Sequence, residues 1–410
     1  MSFGKASVRD APVEGRRVLV RVDFNVPLSD GEVEDEARIR AALPTIDLLR
    51  ERGAAPVLVS HLGRPKGRDP ALSMAPVAAR LAELLEARVS LAPGVVGPEV
   101  EELAGRLRPS EALMLENCRF EPGETKNDTE FARRLAALAD LYVNDAFGAA
   151  HRAHATTEGV AHLLPAYAGL LLEREVIELT AVRDDPVRPL CVVLGGAKVK
   201  DKIGVIERFA ETADQLLIGG AMCFTFLAAQ GVAVGDSLVD EGGVGAAGRI
   251  LKRARRSRCE LELPVDLVLG RGLAPDTDRR ELNGVEVPPG WMGLDIGPRT
   301  AKAYAEAVRK AGTVFWNGPM GAFELEPFAT GTRVVAEVVA STSGTTVVGG
   351  GDSAAALEAF GLADRIDWLS TGGGASLELM EGRGLPGVEA LMDAGQRREY
   401  RRAVRSPHRR

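Results

Sequence analysis

Short apolar runs that end in glycine or polar residues recur along this chain, and stretches with helical spacing separate them. The runs include RRVLVRVDFNVP, APVLVSHLGRP, CVVLGGAK, TVFWNGPMG and TTVVGGGDS, and helical spacing is clear at Ala75–Leu85 and Glu130–Leu138. Continuous apolar strands that alternate with helices predict parallel sheets covered on both faces. Ligands of such sheets bind beyond the carboxyl ends of the strands, which is where this chain places its polar side chains.

A longer helical segment divides the chain. Tyr167–Arg183 (YAGLLLEREVIELTAVR) predicts one helix, which the following Asp-Asp-Pro ends. A chain of 410 residues is also long for a single core. We therefore predict an α/β protein with two doubly wound, Rossmann-like parallel-sheet domains at residues 1–166 and 186–371. An interdomain helix at 167–185 joins them, and a glycine loop and C-terminal segment follow at 372–410.

The composition narrows the class of protein. A content of 45% hydrophobic and 27% charged residues is typical of a soluble globular protein, and a net charge of −7 argues against a general nucleic-acid binder. No apolar run approaches the ~18 residues of a membrane span, and the first residues lack an apolar signal core. The widely spaced cysteines favour reduced, buried thiols in a cytoplasmic protein: Cys118, Cys191, Cys223 and Cys259.

Polar and basic side chains follow the apolar runs of the first 155 residues. Asp23 and Asn25 in RVDFNVP alternate, so both can project from a strand end into one pocket, although turn-forming polar residues would give the same pattern. Burying several cations together is costly without an anion, and a small phosphorylated acid would balance them. The candidate basic side chains are Arg21, Arg38, His61, Arg64, Arg119 and Arg152.

His151 and His154 have a spacing that invites a metal site. Arg152 between them would oppose a cation, and no further ligand lies at a suitable distance in the sequence. We therefore do not expect a metal at this pair.

Glycine clusters replace the arginines in the second half of the chain. VLGGAKVKDKIG predicts a strand, a glycine turn and a helix start, with Lys198 and Lys202 on one helix face. Like charges at that spacing repel, which is understandable if both face phosphates, although solvated lysines remain the alternative. Only nine of the 51 basic residues are lysines, and Lys198, Lys200 and Lys202 are three of them.

Two more glycine loops predict phosphate contacts. GGGDS at Gly349–Ser353 precedes a predicted helix at AAALEAF, where free backbone amides suit phosphate and Asp352 can hold Mg²⁺ on a nucleotide. GGGAS at Gly372–Ser376 offers a second set of amides. No GxxxxGK[ST] motif occurs, which argues against a Walker-type ATPase. A GxGxxG beginning at Gly243 follows polar SLVDEGG, so we interpret it as a loop entering the helix around Ile250.

Nine motifs together resemble, in order, the signature set of the phosphoglycerate kinases. They run from about Arg16 to Leu391 and read RVDFNVP, SHLGRPKG, LENCRF, NDAFGAAHRAHA, VLGGAKVKDKI, GWMGLDIGP, FWNGPMGAFE, GGGDS and STGGGASLELMEG. The resemblance implies reversible phosphoryl transfer between 1,3-bisphosphoglycerate and ADP, giving 3-phosphoglycerate and ATP with Mg²⁺. It also implies a cytoplasmic monomer whose C-terminal segment returns to the first domain, with a hinge near Ser370–Thr371.

The resemblance assigns roles to individual residues by motif. Glu324 would take the ribose hydroxyls and Asp352 the magnesium, and Ser353 stands where many members carry threonine. The implied catalytic residues are Arg38, Lys202, Gly373 and Gly374. The implied acid-substrate residues are Asp23, Phe24, Asn25, Arg38, His61, Leu62, Gly63, Arg64, Arg119 and Arg152. The implied nucleotide residues are Lys198, Lys202, Gly219, Gly220, Gly293, Asn317, Glu324, Gly350, Gly351, Asp352 and Ser353.

Three alternatives fit the pattern less well. A nicotinamide dehydrogenase needs a GxGxxG after an apolar strand, which this chain lacks. A catalytically inactive phosphoglycerate or nucleotide sensor would be expected to lack a transfer residue, yet Arg38, Lys202 and Asp352 are all present. RNA binding by the tail from Arg397 to Arg410, which has seven arginines, would be secondary.

Overall fold

The structure, a computed structural model, describes residues 3–109 and 111–395. These residues form two compact units, one drawn from Met1–Ile177 and Gly384–Arg410 and the other from Glu178–Arg383. The arginine-rich tail, to which the sequence assigned no catalytic role, lies outside the described residues.

The described strands of the first unit make one large sheet and one small hairpin. They are β1 (Arg17–Arg21), β2 (Leu28–Ser29), β3 (Glu32–Val33), β4 (Ala55–Val59), β5 (Val89–Leu91), β6 (Ala112–Met114), β7 (Leu141–Asn144) and β8 (Ala166–Ala168). Six of them form a parallel sheet in the order β5-β6-β4-β1-β7-β8, and β2 pairs with β3. The interior strands β4 and β7 are buried along their whole length, which explains their largely apolar sequence.

Helices alternate with these strands along the chain. They are α1 (Ala37–Glu51), α2 (Ala75–Leu85), α3 (Pro98–Arg106), α4 (Thr129–Ala136) and α5 (Leu170–Asp184). A proline in the first turn of α2 suits a helix start, and Asp128 caps α4 by accepting from the Phe131 amide at 2.8 Å. One buried cluster joins Val20 of β1 and Leu58 of β4 to Ile46 of α1.

The interdomain helix begins later than its sequence predicts. Tyr167 belongs to β8, where it pairs with Val143, and α5 starts only at Leu170. The Asp145 carboxylate accepts from the Leu171 amide at 2.9 Å, so it supplies a partner for a first-turn amide. The sequence pattern around Tyr167 does not show whether this residue is in a strand or in the helix. Pairing of Tyr167 with Val143 places it in β8, and the helix begins after that strand. The residues of α5 belong to the first unit up to Ile177 and to the second thereafter.

The second unit contains a parallel sheet and a smaller antiparallel one. Its described strands are β9 (Leu190–Leu194), β10 (Gln215–Ile218), β11 (Glu260–Glu262), β12 (Leu267–Gly270), β13 (Arg279–Leu282), β14 (Met292–Ile296), β15 (Thr313–Asn317), β16 (Thr345–Gly349) and β17 (Trp368–Ser370). The parallel sheet has the order β11-β10-β9-β15-β16-β17, and β13-β12-β14 forms the antiparallel sheet. The prediction of two parallel-sheet α/β units is confirmed, whereas the antiparallel sheet was not foreseen.

The helices of the second unit follow its strands, and one short helix lies in the residues that return to the first unit. They are α6 (Ile203–Thr212), α7 (Met222–Ala229), α8 (Val244–Ala254), α9 (Pro298–Arg309), α10 (Thr330–Val339), α11 (Gly351–Ala359), α12 (Gly374–Glu381) and α13 (Pro386–Glu389). The GxGxxG segment was predicted as a loop, but α8 begins directly after Gly243, so that Gly245 and Gly248 are helical. The Gly243 amide bonds to the Asp240 carbonyl at 2.8 Å, which closes the turn that starts this helix.

Two further properties concern the cysteines and the helices of the described chain. All four cysteines are buried and free, as their spacing predicts. Across residues 3–109 and 111–395, no helix combines the length and the apolar character that crossing a membrane would need.

Candidate active site

The loops after β1 and β4 lie side by side, because these strands pair in parallel and end at the same edge. The Asn25 side-chain oxygen accepts from the Gly63 amide at 2.8 Å, and the Ser60 hydroxyl accepts from the Phe24 amide at 2.9 Å. The Phe24 and Leu62 side chains, both assigned to the acid substrate, belong to the buried core. Their backbone groups also have partners within the protein, since the Leu62 amide donates to the Asn117 side chain and the Phe24 carbonyl accepts from the Val26 amide.

Asp23 forms the polar centre of this edge. Its Oδ2 accepts from Arg38 NH1 at 3.1 Å, and Arg38 reaches it from α1. Its Oδ1 is buried and lies 3.8 Å from His61 Nδ1, and within the described residues it has no hydrogen-bond partner. A buried carboxylate oxygen without a partner can accept a hydrogen bond from a ligand.

His61 is held neutral. Burial lowers its pKa well below the ordinary value, and the nearby charges of Arg21, Arg119 and Arg38 lower it further. Arg21 NH2 lies 3.0 Å from His61 Nδ1. Because a guanidinium only donates, Nδ1 must be the acceptor, and the ring proton is therefore on Nε2.

Three predicted arginines meet in one cavity of about 400 Å³. Arg64, Arg119 and Arg152 line it together with Lys66, while Glu121 is the one carboxylate in its wall. Burial lowers the pKa of Arg119, and the charges of Arg21 and Arg152 oppose its protonation further. The cavity therefore carries an excess of positive charge, which suits a multiply charged anion.

Arg21 differs from the other arginines. It is 1% exposed, although the sequence groups it with them. Its guanidinium donates to the Thr156 hydroxyl, the Val22 carbonyl and His61. It therefore acts inside the protein and not on a ligand.

Lys202 and Lys198 do not share a helix face as predicted, because α6 begins only at Ile203. Lys198 is exposed in the loop, whereas Lys202 Nζ donates to the Gly195 carbonyl at 2.7 Å and the Asn317 carbonyl at 3.0 Å. A turn between Val199 and Lys202 delays the helix, since the Lys202 amide bonds to the Val199 carbonyl at 2.9 Å. Burial lowers the pKa of Lys202 to about 8, against the opposing charge of Asp352.

Tight packing explains several of the glycines. A Cβ on Gly219 would lie 2.4 Å from the Met320 sulfur, and one on Gly293 would lie 2.0 Å from the Phe224 ring. Gly220 has φ +62° and would bring a Cβ to 2.5 Å from the Gly196 amide nitrogen. Side chains at these positions would push apart the loops that surround the site.

The loop after β16 leads directly into α11, which begins at Gly351 and not at the predicted AAALEAF. Glycine at 350 has φ +93° and lets the helix start immediately after the strand, so Asp352 lies in its first turn. The Ser353 hydroxyl is buried and accepts from the Gly318 amide at 2.6 Å. In the loop after β17, Gly373 has φ +52° and Gly374 begins α12.

A second cavity of about 490 Å³ lies in this unit. Four predicted nucleotide residues line it, namely Gly220, Gly293, Glu324 and Asp352, while Lys198, Lys202, Gly219, Asn317, Gly350, Gly351 and Ser353 do not. The rest of its wall is largely apolar, with contributions from Phe224, Leu238, Leu273, Met292 and Met320. The cavity thus combines a largely apolar wall with a few polar groups, as small-molecule sites commonly do.

Comparison with known proteins identifies the family of this chain. A model of the family described as phosphoglycerate kinase matches residues 8–383. This chain belongs to the phosphoglycerate kinase family. It is 54% identical to the phosphoglycerate kinase of Roseiflexus sp. (strain RS-1) over 395 residues, covering 96% of this chain and 100% of that one. It is 55% identical to that of Rubrobacter xylanophilus over 388 residues, covering 94% and 98%.

Solved phosphoglycerate kinase structures share the fold. The structure from Coxiella burnetii matches with a TM-score of 0.85 and 39% identity, covering 94% of this chain and 98% of that one. The structure from Pyrococcus horikoshii OT3 matches with a TM-score of 0.82 and 33% identity over the same shares. The resemblance in the nine motifs is therefore confirmed.

For this phosphoglycerate kinase family member, sequence reasoning missed the apolar wall of the second cavity. The signal lies only in the structure, where Leu238 and Leu273 are 56% and 69% exposed and both line this cavity. In the sequence, each leucine lies in a short segment between apolar runs, and Val239 follows Leu238 directly. Nothing in its neighbours distinguishes it from a leucine of the core.

Proposed function

We propose that this family member catalyses reversible phosphoryl transfer between 1,3-bisphosphoglycerate and ADP, giving 3-phosphoglycerate and ATP. The first unit would bind the acid and the second the nucleotide, in the cytoplasm and as a monomer. The observation that supports this most strongly is the convergence of Arg64, Arg119 and Arg152 on one cavity of a chain whose net charge is −7. Local positive charge in an acidic protein calls for a local anion.

The acid-substrate contacts follow from the groups that are free to interact. The three arginines would balance the phosphate, since guanidinium forks bind phosphate oxygens in pairs. Asp23 Oδ1, which is buried and has no partner in the described part of the chain, would accept from a substrate hydroxyl. Neutral His61 would offer its Nε2–H, and Asn25 would hold the neighbouring loop in place.

The nucleotide would occupy the second cavity. Its apolar wall suits a base, and Glu324 would accept from the ribose hydroxyls. Amides at the start of α11 would meet the phosphates, which helix N-termini bind well. Lys202 is held beside this helix by two carbonyls and would remain mostly protonated at pH 7 with a pKa of about 8.

The residues around Asp352 fit a magnesium ion that arrives with the nucleotide. Asp352 lies in the first turn of α11, and within residues 3–109 and 111–395 no three potential ligands converge on an ion. One carboxylate with nucleotide phosphates and waters is a usual magnesium environment. When bound, the ion would neutralise part of the phosphate charge.

The transfer itself needs alignment and neutralisation of charge, and it needs no covalent nucleophile on the protein. The substrate carboxylate is already ionised, so no general base is required. Arg38 and Lys202 would meet the phosphoryl group during a direct in-line transfer, and the amides of Gly373 and Gly374 would donate to its oxygens. Arg38 and Lys202 belong to different units, so we propose that the units close around both ligands and exclude water.

A coupled assay tests this function. Purified protein is mixed with 3-phosphoglycerate, ATP and Mg²⁺, and a dehydrogenase that reduces the acyl phosphate reports its formation through NADH consumption. We expect turnover that requires both substrates, with Arg38→Ala as the negative control. Folded protein without turnover would support an inactive sensor instead.

A further inference from the structure

A buried polar cluster lies next to the arginine cavity of the first unit, and none of the roles above uses it. Its members are Arg21, Thr156 and Glu124, which are 1%, 0% and 0% exposed. Neither Thr156 nor Glu124 lines the cavity, although Thr125, the neighbour of Glu124, does. A charged pair in this position is costly to bury and needs an explanation beyond packing.

The hydrogen bonds of this cluster have a fixed direction. Glu124 Oε2 accepts from the Thr156 amide at 3.0 Å, and Glu124 Oε1 accepts from the Thr156 hydroxyl at 2.7 Å. A hydroxyl has one proton, and this one is given to the carboxylate. Its lone pairs therefore face Arg21 Nε, which donates to it at 2.9 Å.

Arg21 connects the hydrogen bonds of Thr156 and Glu124 to His61. Its guanidinium is held at Thr156 and at the Val22 carbonyl, and its remaining NH2 group meets His61 Nδ1 at 3.0 Å. The planar guanidinium has little freedom once two of its edges are bonded. The ring is thus fixed both in orientation and in tautomer, since Nδ1 can only accept.

The charge of Glu124 supports the same arrangement. Burial raises the pKa of Glu124, but the nearby His154 ring, the charge of Arg21 and the hydrogen bond from the Thr156 hydroxyl outweigh it, so the pKa stays below its ordinary value. The carboxylate is therefore ionised and provides a buried counter-charge for Arg21. His154 Nδ1 approaches the same carboxylate at 3.6 Å.

We propose that Glu124 and Thr156 are positioning residues for the acid substrate, because through Arg21 they hold His61 in the tautomer that donates from Nε2. The proposal rests on the function proposed for the first unit. It predicts that the hydroxyl at position 156 matters more than the shape of the side chain. Valine and serine separate these two properties, since Thr156→Val keeps the branched shape and Thr156→Ser keeps the hydroxyl.

The test observes the His61 ring directly in the full-length protein. The chain has five histidines, so ring nitrogens in histidine-labelled protein can be resolved by NMR and assigned with His61→Gln. We expect wild type and Thr156→Ser to show the Nε2–H tautomer. Thr156→Val should lose this tautomer preference, and its affinity for 3-phosphoglycerate in the same spectra should fall about tenfold, with ADP affinity unchanged.

Each outcome decides the proposal. An unchanged His61 tautomer in Thr156→Val, or a Thr156→Ser variant as impaired as the valine variant, would overturn it. If Thr156→Val does not fold, Glu124→Gln is measured in the same way, and failure of both to fold would show a purely structural cluster. The tautomer is observed without turnover, so an inactive wild type with the expected tautomer would contradict the proposed function alone.

Discussion

Replacing Arg38 by alanine should remove most of the turnover while leaving folding and nucleotide binding almost intact. The one ion pair recorded for Arg38 within residues 3–109 and 111–395 is a 3.1 Å contact to Asp23, and its side chain is 37% exposed. Solvent screens such a pair, so we expect a loss of about 1 kcal/mol in unfolding free energy at most. That corresponds to a fall in Tm of roughly 2–4 °C for a unit of this size.

The expected kinetic effect is much larger. A donor to the transferring group contributes on the order of 10²–10³ in turnover, or about 2.7–4 kcal/mol. The coupled assay measures kcat, and titration calorimetry measures ADP affinity. Arg40→Ala is the matched control, because Arg40 lies on the same helix, is 55% exposed and pairs with Glu36. An equal loss of activity in Arg40→Ala, or a parallel loss of ADP binding in Arg38→Ala, would refute the assignment.

Three further predictions concern other groups. Lys202 has a pKa of about 8 and is charged only below it, so kcat/KM for the nucleotide should fall as pH rises through about 8; a flat profile between pH 7 and 9 would contradict this. Gly293→Ala should weaken ADP binding at least tenfold by calorimetry, because the added Cβ meets the Phe224 ring at 2.0 Å, and 3-phosphoglycerate binding should be unchanged. Burial raises the pKa of Asp145 to about 7, above its unfolded value of about 4, so this group lowers stability as pH rises from about 4 to 7. Wild-type Tm should therefore fall more between pH 5 and pH 8 than the Tm of Asp145→Asn, and equal slopes would argue against a buried neutral carboxyl.

The parallel sheets and the arginine set could be predicted from the sequence because each depends only on residues that are neighbours along the chain. A strand buried on both faces is apolar throughout, and the first polar residue marks its carboxyl end, as Ser60 and then His61 do after Val59. The residue types at four such ends were then enough to indicate an anion site. The sequence does not show which strands pair with each other, so it predicts a helix at Tyr167, which in the structure pairs with Val143.

The parts that sequence could not provide depend on contacts between distant segments. Arg21 resembles Arg119 in sequence, but Thr156, 135 positions away, makes it an internal group. Lys202 and Lys198 have helical spacing, but a turn closed by the Val199 carbonyl places Lys202 before the helix. In both cases a partner far along the chain, or a turn without a sequence signature, decides what the charge can do.

The most direct test of the central claim is to follow the phosphoryl group itself. Phosphorus NMR of one sample containing 3-phosphoglycerate, ATP, Mg²⁺ and the protein in excess of both substrates resolves the phosphate species at equilibrium, so that the uphill transfer from ATP to an acyl phosphate is observed on the protein itself. We predict that ADP and an acyl phosphate appear together and only when both substrates are present, and that Arg38→Ala fails to reach this equilibrium in the same time. Release of inorganic phosphate from ATP without an acyl phosphate, or an unchanged spectrum with folded wild type, would contradict the account.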